Sequence, residues 1–279
     1  MKTSNFLALI AMLLSVLVTA IGLFVPSVYR DNDFVQTAWQ GNDWVTLVAV
    51  VPSMSVILWL VRKGNDKATL VYVGLLGYLV YNYAFYLFGA VYNSLFLAYV
   101  LIFTSSLFAL ITGLAALPDY HFQFSSKASG WIAAYLMIIV LVLGMVEVVP
   151  NIRYLISGTI PETITLTGHP TAAVYALDLS LVVPVALVAI VLLLQQRRWG
   201  YILTVIMLVK GASYGIVLMV NTILLNIRGT GEDSLFPFYT FIMLGGVSGL
   251  YWLLKKLEIQ RPDDRAKRTV DDSVHAFPF

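Results

Sequence analysis

The chain has 279 residues, 59% of them apolar and 11% charged, with mean hydropathy +0.85 and net charge +2. Soluble domains carry about 25% charged residues, so this composition excludes a soluble globular protein, and so small a net charge gives no support to nucleic-acid binding. The absence of cysteine excludes disulfides, thiolate metal sites and thiol catalysis.

Eight apolar segments are long enough to cross a bilayer, which needs about 20 residues each. They run near Asn5–Val25, Trp44–Val61, Ala68–Ala90, Leu95–Ala116, Gly130–Val148, Ala172–Leu194, Tyr201–Leu225 and Leu235–Leu254. The first contains Val18-Thr19-Ala20, a passable signal-peptide cleavage site. Its apolar run is too long for a typical signal core and only Lys2 precedes it, so it reads as an uncleaved span. The expected fold class is therefore an all-α membrane protein of eight transmembrane helices, covering 1–254, with a charged tail over 255–279.

Lysine and arginine alternate between the two sets of loops without a break. One set carries Lys2; Arg62, Lys63 and Lys67; Lys127; Arg197 and Arg198; and the tail, while the other carries only Arg30, Arg153 and Arg228. The positive-inside rule then predicts that both termini are cytoplasmic. The opposite loops are acidic by comparison, with Asp31, Asp33, Asp43, Glu162, Glu232 and Asp233. Trp39 and Trp44 suit an outer interfacial belt, and Pro150 to Pro170 is the longest expected connection between spans.

The halves resemble one another. Ser94-Leu95-Phe96 with Tyr99, Ile102 and Leu110 recurs at constant offset as Ser234-Leu235-Phe236 with Tyr239, Ile242 and Leu250. Asp43 and Arg62 bracket span two as Asp178 and Arg197 bracket span six. Tyr72, Leu79 and Val80 match Tyr201, Leu208 and Val209, and Val25-Pro26 matches Val149-Pro150. A tandem of two parallel four-helix repeats follows, about 1–120 and 121–254, with a binding site expected between them.

Lys210 lies near the middle of span seven, roughly 14 Å in from Tyr201 at about 1.5 Å per residue. A charge at that depth costs on the order of 2.5–3.5 kcal/mol and needs a partner or a wet cavity. If the sixth helix starts near Thr171, Asp178 is about 10 Å deep and can pair with Lys210. If it starts at Asp178, as the match to Asp43 implies, the lysine must turn to Asn82, Tyr81, Tyr83, carbonyls or water. Glu147, Asn93 and Asn221 read as interfacial residues near helix ends, or as part of an outward-opening cavity. Span three carries Tyr72, Tyr78, Tyr81, Tyr83 and Tyr86, an aromatic set that serves either packing or an amphipathic pocket.

Catalytic motifs fail on context. Gly211-Ala212-Ser213-Tyr214-Gly215 has the form of a nucleophile elbow, which requires a sharp strand-to-helix turn rather than a helix interior. Gly211 with Gly215, and Gly245 with Gly249, read instead as small-residue packing faces. Lys210 and Ser213 form at most a formal base–nucleophile dyad, with nothing to complete it. No metal or phosphate motif is present, so neither a metal nor a cofactor is expected.

The run Tyr81-Asn82-Tyr83 through Phe88-Gly89, Tyr92-Asn93 and Leu95-Phe96, with Gln40-Gly41-Asn42-Asp43-Trp44 before it, resembles a group of prokaryotic multi-spanning integral membrane proteins. The resemblance covers spans two to four and implies no activity. The leading expectation is binding or transport of a small solute through an outward-facing polar cavity, with Lys210, Asp178, Asn82, Tyr81 and Ser213 as ligand-binding residues. The second is an accessory or scaffold subunit contacting a membrane-protein partner or a second copy of itself. A lipid-modifying membrane enzyme is the third. Only the bilayer is a partner common to all three.

Overall fold

The computed structural model describes residues 1–25, 27–231 and 234–261. Eight helices are long and apolar enough to cross a membrane: Lys2–Phe24, Asp33–Arg62, Asp66–Gly89, Phe96–Ala115, Ser126–Ser157, Ala173–Leu194, Arg198–Arg228 and Phe236–Lys256, here spans one to eight. The chain is thus all-α and multi-pass by length and composition. Among the described residues its one departure is a short antiparallel ribbon of β1, His121–Gln123, with β2, Glu258–Gln260.

Local chemistry sets the helix ends. Asn32 caps span two by accepting from Val35 N–H at 2.9 Å, and Asn65 caps span three by accepting from Ala68 N–H at 2.9 Å. Spans five and seven end at Gly158 and Gly229, whose φ of +70° and +64° suits glycine best.

Spans two and five run well beyond their expected bounds of Trp44–Val61 and Gly130–Val148, while span six keeps close to Ala172–Leu194. Spans two, five and six each contain a π-helical turn, at Thr46–Val50, Gly144–Val148 and Asp178–Val182. Each turn is followed by Val-Pro: Val51-Pro52, Val149-Pro150 and Val183-Pro184. Proline lacks an N–H, and its ring presses on the carbonyl four residues earlier. A wider turn relieves both conflicts, so the helix passes the proline instead of stopping. Glu147 therefore lies well inside span five, and Asp43 lies inside span two because that span begins at Asp33. The expected long loop from Pro150 shrinks to residues 158–172, which hold a short helix, Glu162–Thr167.

The basic loops and both ends of the described chain share one end of the bundle. There the ribbon joins residues 121–123 to the segment after span eight, and Arg261 meets Asp66 at 2.7 Å. Lys67 donates to the Leu254 carbonyl at 2.6 Å. The remaining connections gather at the opposite end, where Asn32 donates to the Leu166 carbonyl at 2.9 Å and His169 sits 3.5 Å from Asp31. The tail over 262–279, Glu232 and Asp233, and the Pro26 part of the repeat match lie outside the described residues.

Spans three and seven form the centre and pack on each other. Span three also packs on spans two and four, span seven on spans six and eight. Span seven further contacts span two, and span three contacts span six. Spans one and four pack closely. Span five, by contrast, stands off from span eight and meets it mainly through Tyr135, whose hydroxyl donates to the Ile242 carbonyl at 2.6 Å.

The close seven–eight contact rests on glycine, though not on all four expected positions. A Cβ on Gly215 would lie 2.7 Å from Met243 N, and one on Gly246 would lie 2.5 Å from Ala212 N. Gly245 instead faces the Tyr135 ring, Gly211 has room for ordinary contact, and a Cβ on Gly249 would press at 3.2 Å on the end of the Leu208 side chain. Gly246→Ala is expected to push the two backbones apart and cost about 1–3 kcal/mol. Gly130→Ala, where a Cβ meets nothing within 4 Å, should change stability by only a few tenths of that. Chemical denaturation of both variants checks the contrast.

Trp39 cannot serve in an interfacial belt, because it is fully buried, 4.5 Å from both the Phe85 and Tyr86 rings, while Trp44 is 42% exposed and packs edge-on against Phe24.

Candidate functional site: a charged cavity in the second half

Because span five stands away from span eight, a cavity of about 590 Å³ remains among spans five to eight. Ligand pockets commonly have volumes of 300–1,000 Å³. Phe34, Ala38 and Trp39 of span two and Phe85 of span three close one side. The cavity therefore sits chiefly within the second group of four spans, rather than midway between the halves. Its wall is mostly apolar, with Glu147, Asp178 and Lys210 among its few charged groups. Glu162, Thr163, Thr167 and His169 line it at the end of the bundle opposite the basic loops. The short helix that supplies three of them is held from two sides: Asn32 donates to the Thr167 carbonyl at 3.0 Å, and Thr163 Oγ1 lies 2.8 Å from Tyr175 Oη.

Lys210 projects into this cavity from the middle of span seven. Span six begins at Ala173, so Asp178 lies inside the helix and the deeper of the two alternatives holds. Lys210 Nζ is 3.7 Å from Asp178 Oδ1, with the two side chains 13% and 9% exposed. The ammonium also lies over the Tyr81 ring, 3.8 Å from its centroid, and 4.7 Å from that of Tyr214. Tyr81 donates its hydroxyl to Asp178 Oδ1 at 2.7 Å. The carboxylate, the ammonium and two aromatic faces thus answer one another, as a charge at this depth requires.

Glu147 shares the cavity wall and is only 3% exposed. It interacts electrostatically with both Asp178 and Lys210. Its Oε2 is buried without a hydrogen-bond partner. Glu147 closes the π turn of span five but for one residue, and Asp178 opens the π turn of span six. Such turns re-aim side chains and recur at functional sites. Asn221 also lines the cavity and, in the amide orientation that satisfies its neighbours, donates to the Ala38 carbonyl at 3.1 Å. Glu147 and Asn221 are therefore cavity residues rather than interfacial caps. Asn93 is the local cap expected, accepting from Leu95 N–H at 2.9 Å.

Two expected members do not join. Ser213 faces a separate groove with Val45, Ala49, Pro52 and Ile216. Asn82 is fully buried but off the cavity wall, and neither end of its amide has a hydrogen-bond partner among the described residues. Of the five sequence candidates, Lys210, Asp178 and Tyr81 come together. Glu147, Tyr214 and Asn221 are the additions. Tyr214 was legible as the residue one helical turn beyond Lys210.

The first half has an acid of its own, in a different setting. Asp43 is fully buried, and its Oδ2 accepts from Tyr29 at 2.5 Å while Oδ1 accepts from Tyr86 at 2.9 Å. Burial, then the negative charge of Asp43, pushes the Tyr29 phenol well up, so it remains a proton donor. Trp39, Tyr86 and Tyr99 pack around this carboxyl, where the second half has open space. Among the described residues no cluster of three or more acidic, histidine or cysteine side chains could hold a metal. No family model, curated protein or solved structure matches the chain.

Proposed function

We propose that the chain is a cell-membrane protein, with both termini cytoplasmic, that binds a small solute in this cavity from the outer side and serves its passage across the bilayer. The observation that carries the reading is a cavity of about 590 Å³ among the apolar spans with Lys210, Asp178 and Glu147 on its wall. Buried charges of this kind mark solute and proton pathways by default. The basic loops share the end away from the cavity mouth, which supports an outward opening by the positive-inside rule.

The tandem repeat belongs to the same proposal. Its support is the reciprocal packing, in which span three on six answers span seven on two, and three on four answers seven on eight. Tyr81 and Lys210, equivalent positions in the two halves, meet face to face where the twofold axis would run. Symmetry breaks where spans one and four close together and spans five and eight do not, and that difference creates the cavity.

The test is a thermal-stability screen of small organic solutes on the purified chain. A binder at a hundredfold its Kd adds about 2.7 kcal/mol. Ile139→Trp, which fills the cavity from span five, is expected to abolish the shift while leaving the unliganded protein folded. A shift retained in that variant would place binding elsewhere, and the copurification of a stoichiometric membrane partner with no solute shift would favour the scaffold role.

A further inference from the structure

We propose that the solute is an amphipathic organic monocation, with Glu147 as its counter-ion. This rests on the cavity being a solute site. Asp178 and Lys210 neutralise one another at 3.7 Å, and Tyr81 and Tyr214 already hold the lysine. Lys210 thus already has its carboxylate, and Glu147 is the acid on this wall left without a positive partner of its own. Its Oε2 is buried, on the cavity wall, and without a hydrogen-bond partner. A buried carboxylate is costly unless paired.

Of the other titratable groups on the cavity wall, Asp178 on span six and Lys210 on span seven act on Glu147 directly. Tyr175 lies on span six, Tyr214 on span seven and Tyr239 on span eight, while Glu162 and His169 line the end opposite the basic loops, where His169 is 3.5 Å from Asp31. Lys210 is committed to Asp178, so a protonated ammonium would be the positive partner that Glu147 lacks, donating to Oε2.

The rest of the wall gives the other half of the ligand. Along span five, Leu136, Ile139, Val140 and Leu143 precede Glu147 at helical spacing and line the same cavity. Eleven residues at about 1.5 Å each make an apolar stripe of roughly 16 Å with a carboxylate at its end. An anion would find no free positive group on this wall, since Lys210 is held by Asp178, and a fully polar solute would leave the stripe unanswered.

Three probes of one shape and different charge separate these possibilities: 2-naphthylmethylamine, 2-naphthalenemethanol and 2-naphthoate, bound to the full chain in lipid nanodiscs. The amine is expected to bind roughly ten- to a hundredfold more tightly than the alcohol, the usual range for a hydrogen bond to a charged group, and the naphthoate most weakly. In Glu147→Gln that preference should vanish while the alcohol keeps its affinity, which also reports that the cavity is intact. If the wild type binds alcohol or naphthoate as tightly as amine, or if Glu147→Gln keeps the preference, the cation assignment is overturned and the solute site stands. If none of the three binds, the solute-site reading falls as well.

Discussion

Lys210→Met is expected to destabilise the protein by about 3–5 kcal/mol, the usual cost of removing one partner from a buried ion pair. The substitution is close in volume, so lost packing contributes little. What it removes is the charge 3.7 Å from Asp178 and over the Tyr81 ring. Two carboxylates would then share one apolar cavity with no cation among them. The double variant Lys210→Met, Asp178→Asn should recover most of the loss, because the uncompensated charge leaves with its partner. Denaturant unfolding of the two single variants and the double gives a coupling energy, and residues in direct contact typically couple by about 0.5–3 kcal/mol. Additive effects would mean that the two charges are answered separately.

Asp43→Ala is expected to cost about 2–5 kcal/mol and to leave the cavity untouched. Two tyrosine hydroxyls, Tyr29 and Tyr86, lose their acceptor in a fully buried place, and each orphaned donor costs about 1–3 kcal/mol. Asp43→Asn keeps one oxygen and should cost distinctly less. The readout that separates this acid from Asp178 is solute binding. Asp43→Asn is expected to keep it and Asp178→Asn to lose it, although the two carboxyls occupy comparable places in spans two and six. Loss of binding in both would mean that the tyrosine cage and the cavity act as one unit.

How much of this was legible depends on which physical rule governed each residue. The eight spans follow from composition because the bilayer allows little else, and a partner for Lys210 follows because a charge at that depth must be answered, but the choice of Asp178 over Asn82, tyrosine or water hung on where span six begins, which hydropathy does not fix. Span five was cut short at Val149-Pro150, because a Val-Pro step reads as a helix end, whereas the π turn ahead of it carries the helix on to Ser157. That hid Glu147, which looked like the last turn of span five. Span two instead begins eleven residues early, at Asp33 in a polar stretch that hydropathy leaves out, so Asp43 looked like a surface bracket instead of the centre of a buried cage. Ser213 failed on direction. The cavity face of span seven runs through Met207, Lys210, Gly211, Tyr214 and Leu218, and residue 213 turns off that line towards span two. Asn82 was rightly placed at depth but one face away. The cavity itself is legible in no single segment, because it arises from the spacing between spans five and eight.

The accessibility of position 210 tests the account most directly. The chain has no cysteine, so Lys210→Cys carries the only thiol, and Ser213→Cys, three residues away in the groove that faces elsewhere, is its control. Membrane-impermeant thiol reagents applied from each side of sealed vesicles should label position 210 from the outer side alone and leave position 213 unlabelled. A position 210 that resists labelling from both sides would contradict the account, since a closed and structural lysine offers no route for a solute.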